Sequence, residues 1–408
     1  MLIKRRSLLK GMVAAPAAFA LGGALDATGA LANPAPLPKP SLLNVTYPTK
    51  TDFDLVPEDK AAGQTATWAA LITALKRTLP SSTVDDVLNS ANRYGVTGLP
   101  NTPPRTANWF WQDGDNRDPY WYPQGLTTSA DHAGTGKYNG REVQLASWYS
   151  KHTVNKGVRV SFVDMTDPAR PAYRHVLLVE PTGSTLTPDF APIKIHAGGI
   201  MWYGDLLYVV DTNSGIRIFD MRDLLKITAP GDETKIGRQP DGTFQAHNYA
   251  YVLPQSAAYS SVVRNQQQQV LYSWISLDRT SVPDSIVIGE FLETPQRASR
   301  LFKWDIDYQT RRLKETNGVA HPSFAAVVDI DRMQGGTCIN GKFYITRSNT
   351  NNAPGNLLTW TPGSLVQYPI NLPPYPEDVS YDGTKDWLWC HTEAENSRQV
   401  FALKASQI

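Results

Sequence analysis

The stretch IMWYGDLLYVVDTNSGIRIFDM, residues 200–221, is the clearest indication of the fold. Its apolar residues alternate within three short runs, which is the periodicity of β-strands that bury one face. Gly204-Asp205 and residues 213–215 (Asn-Ser-Gly) separate these runs, and both are typical of tight turns between antiparallel strands. Three antiparallel strands joined by two tight turns are most of one β-propeller blade.

Similar units recur along the chain. Strand-like runs separated by turn residues occupy four further segments, residues 124–165, 249–305, 333–360 and 377–403. Their spacing is irregular, and we attribute the longer intervals to insertions. The sequence therefore predicts an all-β fold, a β-propeller of five blades. Six blades are the alternative if residues 182–192 or 310–331 hold another unit, and a β-sandwich is the competing fold for many short strands.

The N-terminus has the features of an export signal. Residues 1–32 combine a basic start, an apolar run and a small-residue cleavage pattern at residues 30–32. The motif RRSLLK, residues 5–10, resembles the twin-arginine export signal, and a plain secretory signal is the alternative. Either interpretation predicts a secreted protein. No later segment has the roughly 18 apolar residues that a membrane span needs.

Three segments follow this signal. Residues 33–65 are predicted to form an extended N-terminal arm. Residues 66–119 are predicted to be a short helical and aromatic-rich segment, in which residues 81–83 (Ser-Ser-Thr) before acidic residues indicate a helix start. The propeller is assigned to residues 120–408, with the helical segment packed against it.

The bulk composition limits the classes of function. The 408 residues are 41% hydrophobic and carry a formal net charge of +1, so no field would steer the protein toward a polyanion. Nucleic acid is therefore excluded as an expected partner. The two cysteines, Cys338 and Cys390, allow either one disulfide or two buried thiols.

Several segments resemble a known group of proteins. The segments YWYPQGLTTSAD (120–131), VRVSFVDM (158–165), HAGGIMWYGDLLYVVDT (196–212) and GIRIFDM (215–221) resemble actinobacterial secreted propeller-like proteins with a twin-arginine signal. More loosely, the blade pattern is similar to strictosidine-synthase-like, gluconolactonase-like and virginiamycin B lyase-like propellers. These looser relatives imply a metal or a catalytic histidine at the channel mouth. Their motifs find no residue-by-residue match in this sequence, so the resemblance carries over only the architecture.

Polar residues at or just before the proposed inner strands are the candidate site. The inner strands of a propeller converge on its channel, where a few polar groups can form a binding site. We predict His196 as general base and Glu377 as acid, with Gln334 as a third catalytic residue. Substrate-binding residues are predicted to be Gln124, Trp121, Tyr122, Trp202, His247 and Asp378. A divalent metal ion held by imidazole and carboxylate groups is an alternative use of these side chains, and a polar, water-filled mouth without a function is another.

The stretch WFWQDGDNRDPYWYPQG, residues 109–125, leads into the first predicted blade. Aromatic faces beside carboxylates and amides suit a sugar, and this assigns Trp121, Tyr122 and Trp202 to ligand contact. The aromatic residues 109–111 are predicted instead to pack the helical segment onto the propeller. The three aspartates of residues 113–118 could bind calcium, but the EF-hand spacing is absent.

Taken together, these features predict a secreted carbohydrate-active enzyme, a hydrolase or a lyase, that acts at the mouth of the propeller channel. One alternative is an extracellular propeller that binds glycan or protein without catalysis. Another is a lyase or tailoring enzyme for a secreted natural product. The expected partner is a carbohydrate or a polyhydroxylated small molecule, and the protein is expected to be a monomer.

Overall fold

The computed structural model describes residues 37–98, 105–151, 153–228, 231–293 and 297–408. The predicted signal peptide lies outside these residues. Within the described ranges, no helix is both long enough and apolar enough to cross a membrane. Short β-strands dominate the regular structure, so the predicted all-β propeller fold is confirmed.

The described strands group into five blades of four strands, ordered from the innermost strand of each blade outward. Blade 1 is β6 (Trp121–Thr128), β7 (Val143–Ser150), β8 (Val158–Asp164) and β9 (Ala172–Gly183). Blade 2 is β11 (Ile200–Tyr203), β12 (Leu206–Asp211), β13 (Gly215–Asp220) and β17 (Tyr251–Val263). Blade 3 is β18 (Trp274–Asp278), β19 (Ser285–Gly289), β20 (Ser299–Asp305) and β21 (Phe324–Val328). Blade 4 is β22 (Met333–Ile339), β23 (Lys342–Arg347), β24 (Gly355–Trp360) and β25 (Leu365–Leu372). Blade 5 is β26 (Pro376–Asp382), β27 (Trp387–Thr392), β28 (Gln399–Lys404) and, from earlier in the chain, β5 (Arg105–Phe110).

The five inner strands form a closed ring around the channel. Each packs against the inner strand of the next blade, and β26 of the last blade packs against β6 of the first. Glycines permit this close approach. A Cβ on Gly125 would lie 2.5 Å from the backbone nitrogen of Ile200, and one on Gly335 would lie 2.5 Å from the Cα of Asp378. These glycines are therefore required by the spacing of the strands around the axis.

The ring is closed by strands from two distant parts of the chain. β5 pairs antiparallel with β28, with Trp109 opposite Val400. The propeller therefore includes residues 105–110, and the predicted boundary at residue 120 is corrected. The aromatic segment that we assigned to helix packing supplies the outermost strand of the last blade.

The predicted N-terminal arm is extended and adds strands to the outer edges of three blades. β1 (Ser41–Leu42) pairs with β25, β2 (Val45–Thr46) with β21, and β3 (Phe53–Glu58) with β17. The arm is thereby held along blades 4, 3 and 2 by backbone hydrogen bonds. The remaining short strands are β4 (Arg93–Tyr94), β10 (Pro188–Pro192), β14 (Leu225–Lys226), β15 (Ile236–Arg238) and β16 (Phe244–Ala246).

The predicted helical segment is present and packs on the outside of blade 1. α1 (Trp68–Leu75) and α2 (Val84–Asn89) both lie against β9. The helix start predicted near residue 83 is confirmed, because the backbone N–H of Asp86 donates to Thr83 Oγ1 at 3.1 Å. Two shorter helices are α3 (Asp113–Asn116) and α4 (Ser129–Ala133).

Helix α4 lies at the end of the channel where the inner strands finish. It follows β6 directly and packs against β6, β11 and β26. The carboxylate of Asp131 in α4 accepts hydrogen bonds from the hydroxyls of Thr127 and Ser380, both at 2.7 Å. These bonds hold the helix across this end of the channel. We call the opposite end, where the inner strands begin, the front mouth.

Candidate active site

The front mouth carries two glutamates from the last blade. Glu377 stands at the start of the inner strand β26, and Glu393 lies in the loop that follows β27. Gln124 on β6 joins them, since its Nε2 donates to Glu393 Oε2 at 2.7 Å and to the carbonyl of Pro123 at 2.9 Å. A side chain of the first blade thus fixes one carboxyl group of the last blade.

Both glutamates have raised affinities for a proton. Burial raises the pKa of Glu393 to about 7, while the Gln124 hydrogen bond and the charges of Arg398 and Lys151 act in the opposite direction. Glu377 is only 2% exposed. Its burial, followed by the negative charges of Glu393 and Asp378, raises the pKa of Glu377 well above the ordinary value. Both carboxyl groups therefore hold a proton more tightly than an ordinary glutamate does, an arrangement suited to acid–base catalysis.

Two aromatic rings lie beside this pair. Tyr149 stands near the end of β7, and its pKa is raised by burial and then by the charges of Glu393 and Glu377. The ring of His196 packs on Tyr149 with 4.5 Å between centroids. His196 is exposed. The structure therefore brings His196 to the mouth through Tyr149.

Tyr122 extends the aromatic surface on the side of blade 1. Its ring lies 5.9 Å from that of Tyr149, and the Arg398 guanidinium carbon lies 4.8 Å from its centroid. Lys151 Nζ donates to the Tyr122 hydroxyl at 2.6 Å, and this hydroxyl donates to Glu395. Tyr122 thus lies beside Tyr149, and its predicted contact with a substrate stays a prediction.

The other two polar residues predicted on the inner strands have structural partners. Gln334 lies at an irregularity in the pairing of β22 with β23, and its Nε2 donates to Ser348 Oγ at 3.3 Å. The Asp378 carboxylate is fully buried and accepts backbone N–H groups of Leu126 and Ile200, both at 3.2 Å. Asp378 therefore ties together the inner strands of blades 5, 1 and 2, and its predicted substrate-binding role is corrected.

Two aromatic assignments also change. Trp202 is 0% exposed and packs on His132 and Tyr138, with centroid distances of 4.7 and 5.3 Å, so it belongs to the core and not to a ligand surface. Trp121 is largely buried, with the Arg159 guanidinium carbon 4.5 Å from its ring centroid. Its side chain lines a cavity outside the front mouth.

His247 is not at the front mouth. The residues after it form β17, which we predicted as an inner strand but which is the outermost strand of blade 2. β17 also pairs with β9 of blade 1, so blades 1 and 2 share a continuous sheet. The ring of His247 contacts the carbonyl of Glu233 through Nδ1 at 2.9 Å. Its predicted role at the channel is therefore corrected.

Glu393 and Tyr149 were not among the residues predicted for the site. Glu393 lies two residues after His391, which is buried and contacts the Gln124 carbonyl through Nε2 at 2.7 Å. His391 could have indicated Glu393, because a histidine that joins β27 to β6 also places the loop after β27 at the front mouth.

The described residues do not support the metal sites considered from the sequence. Among them, no three His, Cys, Asp or Glu side chains are grouped to hold a metal ion. The three aspartates of residues 113–118 diverge, because Asp113 pairs with Arg117, Asp115 is buried beside Arg159, and Asp118 accepts backbone N–H groups. Cys338 and Cys390 are both buried free thiols.

Comparison with known proteins gives weak similarities. The sequence matches no protein-family model and no curated protein. Among solved structures, a GH43_1 enzyme from Xanthomonas citri complexed with xylotriose is similar at 11% identity and a TM-score of 0.32, over 82% of this chain and 92% of that one. The β-propeller domain of Cps50 (Swd1) from Myceliophteria thermophila is similar at 9% identity and a TM-score of 0.32, over 68% and 82%. An auxiliary nutrient binding protein from Bacteroides thetaiotaomicron is similar at 10% identity and a TM-score of 0.32, over 77% and 76%. Similarity at this level carries no argument about activity.

Proposed function

We propose that this protein is a secreted carbohydrate-active enzyme that hydrolyses a glycosidic bond at the front mouth. The observation that carries the proposal is the pair of carboxyl groups, Glu377 and Glu393, buried to different degrees beside the same tyrosine. Two carboxyl groups whose environments separate their pKa values are the usual machinery of glycoside hydrolysis.

The pKa shifts assign the two roles. Glu377, whose pKa burial raises well above its ordinary value, acts as the acid and donates its proton to the oxygen of the leaving sugar as the glycosidic bond breaks. Glu393 in its ionised form takes a proton from the water that bonds to the anomeric carbon. Glu393 thus takes the role of base that we predicted for His196.

The neighbouring rings suit a sugar substrate. Tyr122, Tyr149 and His196 form a contiguous aromatic cluster, and the His196 ring is its exposed member. An aromatic face packs on the C–H groups of a sugar ring, while nearby polar groups bond its hydroxyls. We assign binding of the substrate to these rings, and the exposed His196 ring lies at the outer edge of the surface.

The test is hydrolysis of a polysaccharide panel by the mature protein from residue 33 onward. New reducing ends and the ultraviolet absorbance of unsaturated uronates are followed together, since the second signal reports a lyase. We expect reducing ends without the absorbance, and a loss of activity of about 10²-fold or more in Glu377→Gln and Glu393→Gln. Glu142→Gln is the matched control, because Glu142 pairs with Lys385 away from the mouth.

Two outcomes would contradict this proposal. Equal activity in Glu393→Gln and the wild type would remove the carboxyl pair from the mechanism. Tight sugar binding with no product from any polysaccharide would indicate a binding protein without catalysis.

A further inference from the structure

A polar cleft opens beside the front mouth. Two cavities of about 380 and 270 Å³ share Asn92 and Arg93 in their walls. Trp121 lines the smaller cavity, and the next residue, Tyr122, belongs to the aromatic surface of the mouth. Because successive side chains of a strand point to opposite faces, the start of β6 forms the wall between the cleft and the mouth.

Arginines are gathered in this cleft around a single buried carboxylate. Arg93 Nε lies 3.0 Å from Asp115 Oδ2, and Arg159 Nη2 lies 2.9 Å from Asp115 Oδ1. Tyr173 and His175 also contact this carboxylate, at 2.7 and 3.1 Å. Asp115 is therefore saturated, and it has no capacity left for another cation.

A third guanidinium in the cleft has no anionic partner among the described residues. Arg174 donates to the backbone carbonyl of Ser90 at 2.9 Å, and no carboxylate of the described residues contributes to its pKa. Burial lowers the pKa of Arg174, and the positive charge of Arg93 lowers it further, while Tyr251, whose ring centroid lies 5.8 Å from the guanidinium carbon, acts in the opposite direction. Two like charges held together in a partly buried site are stabilised when an anion binds between them.

The carboxylates of the cleft do not balance its positive charges. Lys156 pairs with Glu233 at 3.2 Å, but the Glu233 side chain is 73% exposed and the pair is correspondingly weak. Asp118 is occupied by the backbone N–H groups of Tyr120 and Trp121, at 2.8 and 3.2 Å. The cleft is therefore lined by four cationic side chains and three carboxylates, namely Arg93, Arg159, Arg174 and Lys156 against Asp115, Asp118 and Glu233.

The neutral groups of the cleft are also donors. The amide oxygen of Asn92 accepts from Arg93 Nη1 at 3.0 Å, and that of Gln112 accepts from the backbone N–H of Tyr94 at 3.0 Å. Among the described residues, neither NH₂ group donates a hydrogen bond to the protein, so both can donate to a ligand. Guanidinium, ammonium and amide donors together recognise an oxyanion, and guanidinium is suited to carboxylate and sulfate geometry.

We propose that this cleft holds the acidic group of a charged saccharide, a uronate carboxylate or a sulfate ester, with Arg174 and Lys156 as its main contacts. The inference rests on the proposed function, since it names the substrate class of the enzyme at the adjoining mouth. A saccharide chain that crosses the short wall at Trp121 and Tyr122 places an acidic residue in the cleft and the scissile bond beside Glu377.

The test is calorimetric titration of the inactive Glu393→Gln protein with three trisaccharides. Trigalacturonate, its methyl ester and a sulfated galactose trisaccharide differ in the charged group and separate the two sources of oxyanion. We expect the methyl ester to bind at least about tenfold more weakly than trigalacturonate, with an affinity for the acid that falls as salt rises. Arg174→Gln and Lys156→Gln should each lose this preference. Arg77→Gln, an exposed cation just beyond the end of α1, should keep it.

Failure of this inference is distinguishable from failure of the proposed function. If the trisaccharide and its ester bind equally, or if Arg174→Gln and Lys156→Gln bind as Arg77→Gln does, the inference is overturned even when polysaccharides are hydrolysed. If the charged trisaccharide binds through Arg174 and no polysaccharide is hydrolysed by the wild type, binding of the acidic group in the cleft is supported and the proposed hydrolysis is contradicted. Thermal unfolding of each variant shows whether a lost preference follows from a lost fold.

Discussion

Single buried carboxyl groups determine the chemistry of the channel. Burial raises the pKa of both Glu377 and Glu393. The negative charges of Glu393 and Asp378 add to the shift of Glu377, whereas Gln124, Arg398 and Lys151 partly oppose the shift of Glu393. Asp115 shows the opposite arrangement, because His175 and two arginines beside it hold the pKa of this buried carboxyl far below its usual range. Asp115 therefore stabilises the fold, whereas Glu377 and Glu393 can exchange protons.

The buried carboxyl group of Asp131 makes the stability of the protein depend on pH. Burial raises its pKa to about 6 from an ordinary value of 3.8, while hydroxyls of Thr127 and Ser380 partly oppose the shift. A raised folded-state pKa gives stability that is fully present below pH 3.8 and is lost as pH rises through 6. A shift of this size corresponds to about 3 kcal/mol.

We therefore expect the wild type to lose stability between about pH 4 and 6 through this group, and Asp131→Asn to lack that part of the loss. Urea unfolding at closely spaced pH values measures it. Asp241→Asn is the control, since Asp241 is fully exposed in a turn. Parallel pH profiles for the wild type and Asp131→Asn would contradict the assigned shift.

At the scale of elements, the inner strands depend on glycine. A Cβ on Gly125 would lie 2.5 Å from Ile200 N, 2.7 Å from the Gly199 carbonyl carbon and 2.8 Å from Ser147 Oγ. Two of these neighbours are backbone atoms of the next blade, which move only if the strands separate. We expect Gly125→Ala to cost about 1–3 kcal/mol or more in the free energy of unfolding, as other overpacked cores do.

Chemical denaturation measures this cost, and Gly231→Ala is the matched control. No heavy atom lies within 4 Å of a Cβ built on Gly231, so that variant should change stability by less than about 0.5 kcal/mol. Equal stability of the two variants would show that the strands of blades 1 and 2 are not in close contact at the channel.

The sequence correctly predicted the turns and helix starts that are determined by a few neighbouring residues. The turns around residues 204 and 213–215 delimit the strands of blade 2, and the cap at Thr83 starts α2. The segment 249–305 was misassigned because β17 alternates like an inner strand. Its outer position is set by pairing with β13, β9 and β3, and none of these partners is close in sequence.

The candidate site was less predictable for the same reason. Glu377 and Gln124 could be proposed because each stands at the start of a strand-like run in the sequence. Glu393 could not, since it stands in a loop and reaches the mouth only by bonding Gln124, 269 residues earlier in the chain. Trp202 was predicted to contact a ligand but is buried in the core. Its strand position places the ring between blades, and the alternation of apolar residues does not distinguish a core side chain there from one that contacts a ligand.

At the scale of the whole molecule, closure of the ring depends on the contact between blades 5 and 1. Trp109 on β5 is 1% exposed, and its Nε1 donates to Gln144 Oε1 on β7 of blade 1 at 3.3 Å. Its ring packs on Trp111, which in turn packs on Trp148 and Tyr173. The residues predicted to attach the helices thus join the last blade to the first.

We expect Trp109→Ala to destabilise the protein by about 3–5 kcal/mol, the usual cost of removing a buried tryptophan. Trp387→Ala in the same blade should cost less, because Trp387 is partly exposed. Differential scanning calorimetry compares the two. A similar loss for both would mean that the interface between blades 5 and 1 does not hold the ring closed.

The proposed active site depends on the carboxyl pair, and infrared difference spectroscopy of the carboxyl groups tests the pair without knowledge of the substrate. At neutral pH the wild type should show a protonated carboxyl band that is missing from Glu377→Gln. It should also show a group that titrates near pH 7 and is missing from Glu393→Gln. Glu142→Gln should retain both signals. If neither variant removes a signal, both glutamates have ordinary proton affinities, and the front mouth does not hold an acid–base pair.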